Sequence, residues 1–521
     1  MAHMGPRLLV LMLSCLLCAM GIPEQAMAQP TLAVGVLGSD VGSLDPHVST
    51  ASQDKIVTAW IFNGLVRFKP GSADPKQMEP DLAERWETSS DGLTWKFYLR
   101  QGVKFHSGYG EFTSADAVFS LKRAADKSFS TAYSAYGALA EVNAIDKYIV
   151  EIKLKTPVPS FLGLVTNFHG GMIVSKKAAE ELGDNFKTKP IGTGPFALKE
   201  YTPKSNVTLT ANKEYFRGAP KIETILYRFV PEEASRELAF TKGELQLIYG
   251  TRDQRWVERM RKDKDSIVDI MGLGEQRTLH LNTSIKPLDD PRVRKAIAHA
   301  INRDEVVAFM GKDVSRASYS VVPEGYLGFT TDVPKFEYSP DKAKALLKEA
   351  GQPNGFTLKV MVTKVDPLRL PMEIIQEQLR KVDIKVDIEI LEHASWHKII
   401  RQNSSAMVLY GAARFPVAGG YLNEFYHSAS IVGKPTAVAN FSHCTAADSE
   451  LDQANKEADP KKQLELWAKA QQKIMADVYA IPVFELMQVW ARKKTLDYGH
   501  PEVDSISNGP MLNEKTRLTD K

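Results

Sequence analysis

Cysteine is nearly missing from this chain. Three occur in 521 residues, and Cys15 and Cys18 fall inside an N-terminal apolar run, which leaves Cys444 alone in the body of the protein. No internal disulfide can form there, so stability has to come from buried cores. An excess of one charge is missing too: 66 lysines and arginines against 63 aspartates and glutamates leave a net charge of +3. With no basic stripe, that balance argues against a nucleic-acid partner. Beyond the N-terminus no stretch approaches the ~20 uninterrupted apolar residues that span a bilayer. Catalytic signatures are absent as well. The body of the chain has no Gly-x-Ser-x-Gly elbow, no Cys-x-x-Cys pair and no nucleophile beside a base, so neither an enzyme nor a cofactor is expected.

What is present begins with a processing segment. Arg7 supplies a positive start, residues 8–20 are apolar and uncharged, and Ala26-Met27-Ala28 is a small-x-small cleavage site. Residues 1–28 therefore read as a signal peptide and the rest as an exported protein. Cys15 is a poor lipid acceptor, because Met12-Leu13-Ser14 precedes it early in the apolar run. The remaining length is too great for one core and implies two or three domains.

Local signals place many elements. Strands are expected at 31–37, 196–201, 207–211, 222–230 and 245–249, and a helix over 54–66. Hairpins are expected over 85–100, turning at Ser90-Asp91-Gly92, and over 143–155. Thr113-Ser114-Ala115-Asp116 opens a helix with capping-box chemistry, and Ser175 and Gly183 bound another. Residues 69–189 thus read as an α+β insert. Further helices are expected over 231–241, 290–301, 448–458 and 461–477, one starting at Ser339-Pro340, and short strands at 481–484 and 489–491. The cleanest periodic block is a strand at 356–363, a helix at 370–382, a strand at 384–391, a helix at 395–401 and a strand at 406–410. That β-α-β-α-β order implies a parallel sheet.

Ligands of open parallel sheets sit beyond the carboxyl ends of the strands. Arg369, Trp396, Tyr410, Arg414 and Phe415 lie at that edge by topology, and two arginines with aromatics there could clamp an acidic, partly apolar ligand. The plain alternative is that Arg369 caps a loop and Arg414 is solvated. Tyr133 and Tyr136 face either a cleft or solvent. His393 and His397 have metal-ligand spacing but no third ligand nearby, so no metal is expected. Gly192-Thr193-Gly194 leads into a strand through Pro195-Phe196, which suits a structural corner and not a phosphate loop.

In sequence order, a set of segments resembles one family. They are Ser43-Leu44-Asp45-Pro46, Ile61-Phe62-Asn63-Gly64-Leu65-Val66, Pro80-Asp81-Leu82-Ala83-Glu84-Arg85-Trp86 and Asp91-Gly92-Leu93-Thr94-Trp95-Lys96-Phe97-Tyr98-Leu99-Arg100. Gly102-Val103-Lys104-Phe105-His106, Gly192-Thr193-Gly194-Pro195-Phe196, Asp290-Pro291-Arg292-Val293-Arg294-Lys295-Ala296-Ile297 and Ala343-Lys344-Ala345-Leu346-Leu347-Lys348-Glu349-Ala350-Gly351 complete the set. Together they resemble the extracellular solute-binding proteins of family 5, the peptide, nickel and opine type that serves ABC transporters.

That resemblance implies an α/β, two-lobed periplasmic binding fold (type II, cluster C) with an α+β subdomain inserted in the first lobe. The implied division is lobe I at 29–68, 190–276 and 485–521, the insert at 69–189, and lobe II at 277–484, with hinge strands near 277–281 and 481–485. It further implies a monomer that closes on a small solute and docks on an inner-membrane permease. Dipeptide-binding members hold the ligand carboxylate with an arginine where Arg369 stands, and the ligand amine with an aspartate in the loop after the third strand. Here Gly411-Ala412-Ala413-Arg414-Phe415-Pro416 has no aspartate and gains Arg414, so the expected solute is acidic and lacks a free α-amine. The alternatives are a nickel–chelator complex involving His169 or His393, an ordinary di- or oligopeptide and, in a different class, an exported hydrolase.

Overall fold

The computed structural model describes Met1 and residues 30–158, 160–412, 414–434 and 439–520. The expected signal peptide and Ala413 lie outside the described residues.

Two hydrophobic cores carry the structure. One joins Leu32, Val34, Trp60, Phe62, Phe97, Phe112, Phe161, Phe186 and Tyr227; the other joins Leu279, Val293, Ile297, Leu379, Trp396, Tyr421, Phe425 and Phe484. A nine-stranded sheet runs through both. Its strands follow the order Met407–Ala412, Ser266–Leu281, Ala480–Lys493, Leu247–Tyr249, Thr31–Val36, Thr224–Phe229, Asn206–Ala211 and Phe196–Thr202, with Ser315–Ala317 added beside Ala480–Lys493. Thr31–Val36 pairs parallel with both of its neighbours, and the other pairs are antiparallel. The two long strands contribute to both cores: Met271 and Trp490 join the first, and Leu273, Leu279, Leu281, Ile481, Val483, Val489 and Ala491 the second. Their register shifts between Met271 and Glu275 and again between Arg277 and Thr278.

The α+β elements expected within 69–189 form a separate four-stranded antiparallel sheet, Ala83–Thr88, Thr94–Leu99, Ile149–Leu154 and Leu139–Asp146. The helix Ser114–Ala125 covers it. Thr113 and Asp116 make the reciprocal capping box, satisfying two N–H groups that the first turn cannot use. The Gly192-Thr193-Gly194 corner is set by crowding. A Cβ on Gly192 would stand 2.2 Å from the Ile61 carbonyl oxygen, and one on Gly194 2.6 Å from the same group. Only glycine lets this backbone approach the end of the helix Ser52–Ile61, where the Gly194 N–H donates to Ile61 O at 2.8 Å.

The periodic block differs from the three-stranded parallel expectation. Phe356–Thr363 and Ile384–Leu391 pair in parallel, but Met407–Ala412 pairs antiparallel with Ser266–Leu281 in the large sheet. Both helices also start earlier than expected. Asp366–Arg380 begins with Pro367 in its first turn, a favoured place for a residue without an N–H, and His393–Ile400 begins two residues before Ser395. The short strands expected at 481–484 and 489–491 are one strand, Ala480–Lys493. Cys444 is buried, which pushes its thiol up to about 12. Among the described residues no helix is long and apolar enough to cross a membrane.

Candidate functional site: a cationic cleft between two cores

The first wall comes from the helix Ser52–Ile61. Its buried face, Ile56, Val57, Ala59, Trp60 and Ile61, is locked into the first core, which leaves Lys55 part-exposed. The Lys55 ammonium stands 5.7 Å from the centre of the Phe168 ring, a cation–π placement. Phe168 in turn stacks on His169 at 4.0 Å. The His169 backbone is left-handed, with φ 48°, and its Nε2 is buried without a hydrogen-bond partner. Tyr136 supports this turn from behind: its hydroxyl donates to Leu164 O at 2.7 Å and its ring fills the space at Gly170.

The second wall is the loop that leaves Met407–Ala412. Tyr326 clamps its backbone, since the phenol accepts from Arg414 N–H at 2.7 Å and donates to Arg414 C=O at 2.8 Å. The Arg414 guanidinium forks onto Glu424 through two bonds of 2.7 Å. Burial works against that charge, but Glu424 outweighs it and keeps the arginine cationic. Phe415 reaches the opposite wall, with its ring 5.7 Å from Phe68 and pressed against Gly163. Tyr326 also lines a cavity of about 630 Å³ shared with Lys69, Asp74, Leu273 and Asp504.

Electrostatics tie the walls together. Lys55 is pushed down to about 8, by burial first and then by the charge of Arg414; Asp54 offsets part of this. His169 is held well below its ordinary value by burial, then by Lys55 and Arg414, so it is neutral. Two cations from different cores therefore face one another. Among the described residues Lys55 has no carboxylate within ion-pair distance, the nearest acidic influence being Asp54.

Of the residues singled out from sequence, Arg414, Phe415 and His169 meet here, and Tyr410 acts on Arg414 electrostatically. Tyr410 is buried and accepts from Arg401. Trp396 lies one layer behind: it is 1% exposed, donates to Met361 O at 3.0 Å and stacks on Tyr410. Because its helix starts at His393, Trp396 faces the core and not the sheet edge. Arg369 sits inside the helix Asp366–Arg380 and bonds to Asp366 and Glu373 of that helix, each at 2.7 Å, so carboxylates of its own helix engage it. Tyr133 is exposed near Lys127. His393 and His397 face each other with their Nε2 atoms 3.2 Å apart. Among the described residues no group of three His, Cys, Asp or Glu could hold a metal.

Sequence reasoning missed Lys55, Phe168 and a cluster beside the register shifts of the long strands, Arg252, Glu275 and Arg277. One Glu275 carboxylate serves both arginines, at 3.4 Å from Arg252 Nη1 and 2.7 Å from Arg277 Nη2. Burial opposes its ionisation, yet Arg252 and Arg277 hold it down at about 2. The one local signal was Gly411, whose missing side chain makes room for Arg277.

Comparison with known proteins places this geometry. The profile of the bacterial extracellular solute-binding proteins, family 5, middle region, matches residues 77–433. The di/tripeptide-binding protein 2 of Pseudomonas aeruginosa (strain UCBPP-PA14) is 30% identical over 427 residues, covering 76% of this chain and 79% of that protein. Among solved structures, MoaA of A. tumefaciens R10 in complex with mannopinic acid is 45% identical, covers 95% of this chain and 100% of its own, and superposes with a TM-score of 0.82. DppA from Helicobacter pylori in complex with the peptide STSA is 28% identical, over 94% and 98% of the two chains, with a TM-score of 0.77. The fold is that of the two-lobed periplasmic binding proteins, and the chain belongs to the family 5 solute-binding proteins of ABC transporters.

Proposed function

We propose that this protein captures an acidic solute lacking a free α-amine, encloses it between its lobes and delivers it to an ABC permease of the inner membrane. Residues 1–28 direct export to the periplasm, and the mature chain works as a monomer. The lobes divide at 29–68, 190–276 and 485–521 for the first and 277–484 for the second, with 69–189 inserted. The carrying observation is the facing pair Lys55 and Arg414, one packed on each core, with Glu424 bonded to the arginine. An anion between them lowers their mutual repulsion only when the lobes are together. It therefore binds the closed state better than the open one, which is what drives closure.

A peptide's α-ammonium would meet Arg414 instead of an aspartate, and like charges in a part-buried site repel. Mannopinic acid, bound by the 45%-identical MoaA, is the first solute to test. Calorimetry should give a Kd of about 1 μM or tighter for mannopinic acid and at least a hundredfold weaker binding of Ala-Ala and Gly-Gly-Gly. Dipeptides bound as tightly as the acid would refute the reading.

A further inference from the structure

The Arg252–Glu275–Arg277 cluster has more cationic capacity than its one carboxylate uses. Arg277 lies on the strand Ser266–Leu281, in register with Gly411 and Phe484 on the neighbouring strands. It is 4% exposed, and its guanidinium fills the side-chain space of Gly411, where a Cβ would stand 1.3 Å from Nη1. Arg252 enters from the segment after Leu247–Tyr249, and its side chain remains 19% exposed. Two guanidinium groups bring ten N–H donors. Arg277 Nε is nonetheless buried without a hydrogen-bond partner, and Arg252 Nη1 meets Glu275 only at 3.4 Å. A buried guanidinium with an unmade bond beside a shared carboxylate is costly, and the cost falls if an anion is received.

The cluster adjoins the cleft. Gly411 heads the loop that carries Arg414, and Tyr421 feels the charge of Arg414 while its phenol acts on Arg277. Resting on the acidic-solute reading, we propose that Arg252 and Arg277 form a second anion subsite for the same solute, which therefore carries at least two acidic groups. Arginine's planar fork suits a carboxylate there, and Glu275 holds both forks in place while the subsite is unliganded.

Mannopinic acid titrated into the wild type, Arg252→Lys, Glu275→Gln and Gly411→Ala tests this, with thermal melts reporting folding. Arg252→Lys keeps the charge but loses the fork, and Gly411→Ala displaces the Arg277 guanidinium. Each should weaken binding by about 10- to 100-fold, the worth of a charge-assisted hydrogen bond. Glu275→Gln removes the competing internal carboxylate and should tighten binding by about threefold or more. If Glu275→Gln weakens binding as much as Arg252→Lys does, the cluster is only a structural tie and the proposal falls. If the wild type binds and Arg252→Lys stays within about threefold of it, the second subsite is refuted while the acidic-solute reading stands. A wild type that does not bind the acid overturns both.

Discussion

Replacing Lys55 by methionine while varying pH probes the cleft directly. In the solute-free protein the ammonium has been pushed from its ordinary 10.5 down to about 8, by burial and by Arg414. Between those values the unfolded chain holds a proton that the folded chain has released. The stability of the free protein therefore rises with pH across that window. An acidic solute reverses the balance, because its negative charge lifts the ammonium back towards its ordinary value. Binding must then take up a proton above pH 8, and affinity must fall as pH rises. Full restoration would be worth about 3 kcal/mol at 1.36 kcal/mol per unit. Screening through the part-exposed site reduces this to about 1.5 kcal/mol, or roughly tenfold in Kd. Calorimetry in buffers of different ionisation enthalpy at about pH 9 should show Lys55 taking up about half a proton in the wild type, an uptake lost in Lys55→Met. A wild-type Kd that is flat from about pH 7.5 to 9.5, or a slope that survives in Lys55→Met, would refute the reasoning.

Other outcomes follow from close approaches and charges. Arg414→Ala leaves Glu424 without its partner and removes a cleft cation, so mannopinic acid should bind at least about 100-fold more weakly. A side chain on Gly163 would meet the Phe415 ring at 2.2 Å; Gly163→Val should keep a cooperative melt but hinder closure, read as a larger solute-bound radius of gyration by small-angle X-ray scattering. Gly192→Ala forces a Cβ into the Ile61 carbonyl and should lower stability by about 2–4 kcal/mol in urea unfolding. Nickel should quench no intrinsic fluorescence through His169 or His393, so His169→Ala and His393→Ala should respond to the metal as the wild type does.

Elements with strong local chemistry were legible. The hairpins, the Thr113 capping box, the Ser175 cap and the Asp290 start of Pro291–Ala300 all appear where turn and cap residues put them. Ser266–Leu281 was not legible as a strand, because its glycines and charges break any alternation and its pairing partner is some two hundred residues away in sequence. The helix His393–Ile400 was misplaced by two residues because Glu392 makes no side-chain cap bond, and that slip put Trp396 at the sheet edge instead of in the core. Asp366-Pro367 did carry a start signal, and heeding it would have placed Arg369 among its own helix's carboxylates. Of the cleft residues, Arg414 was legible as a departure from a family pattern. Lys55 carries no local mark, since a lysine on an amphipathic helix is ordinarily solvated. Arg252, Glu275 and Arg277 meet only through the long strands and the space at Gly411.

Electron density for the solute, in crystals grown with mannopinic acid, tests the central claim most directly. An acid group is expected within about 3 Å of both Lys55 Nζ and the Arg414 guanidinium, with the two lobes closed over it. A solute amine at that position, or an acid seated outside the space between the lobes, would contradict it.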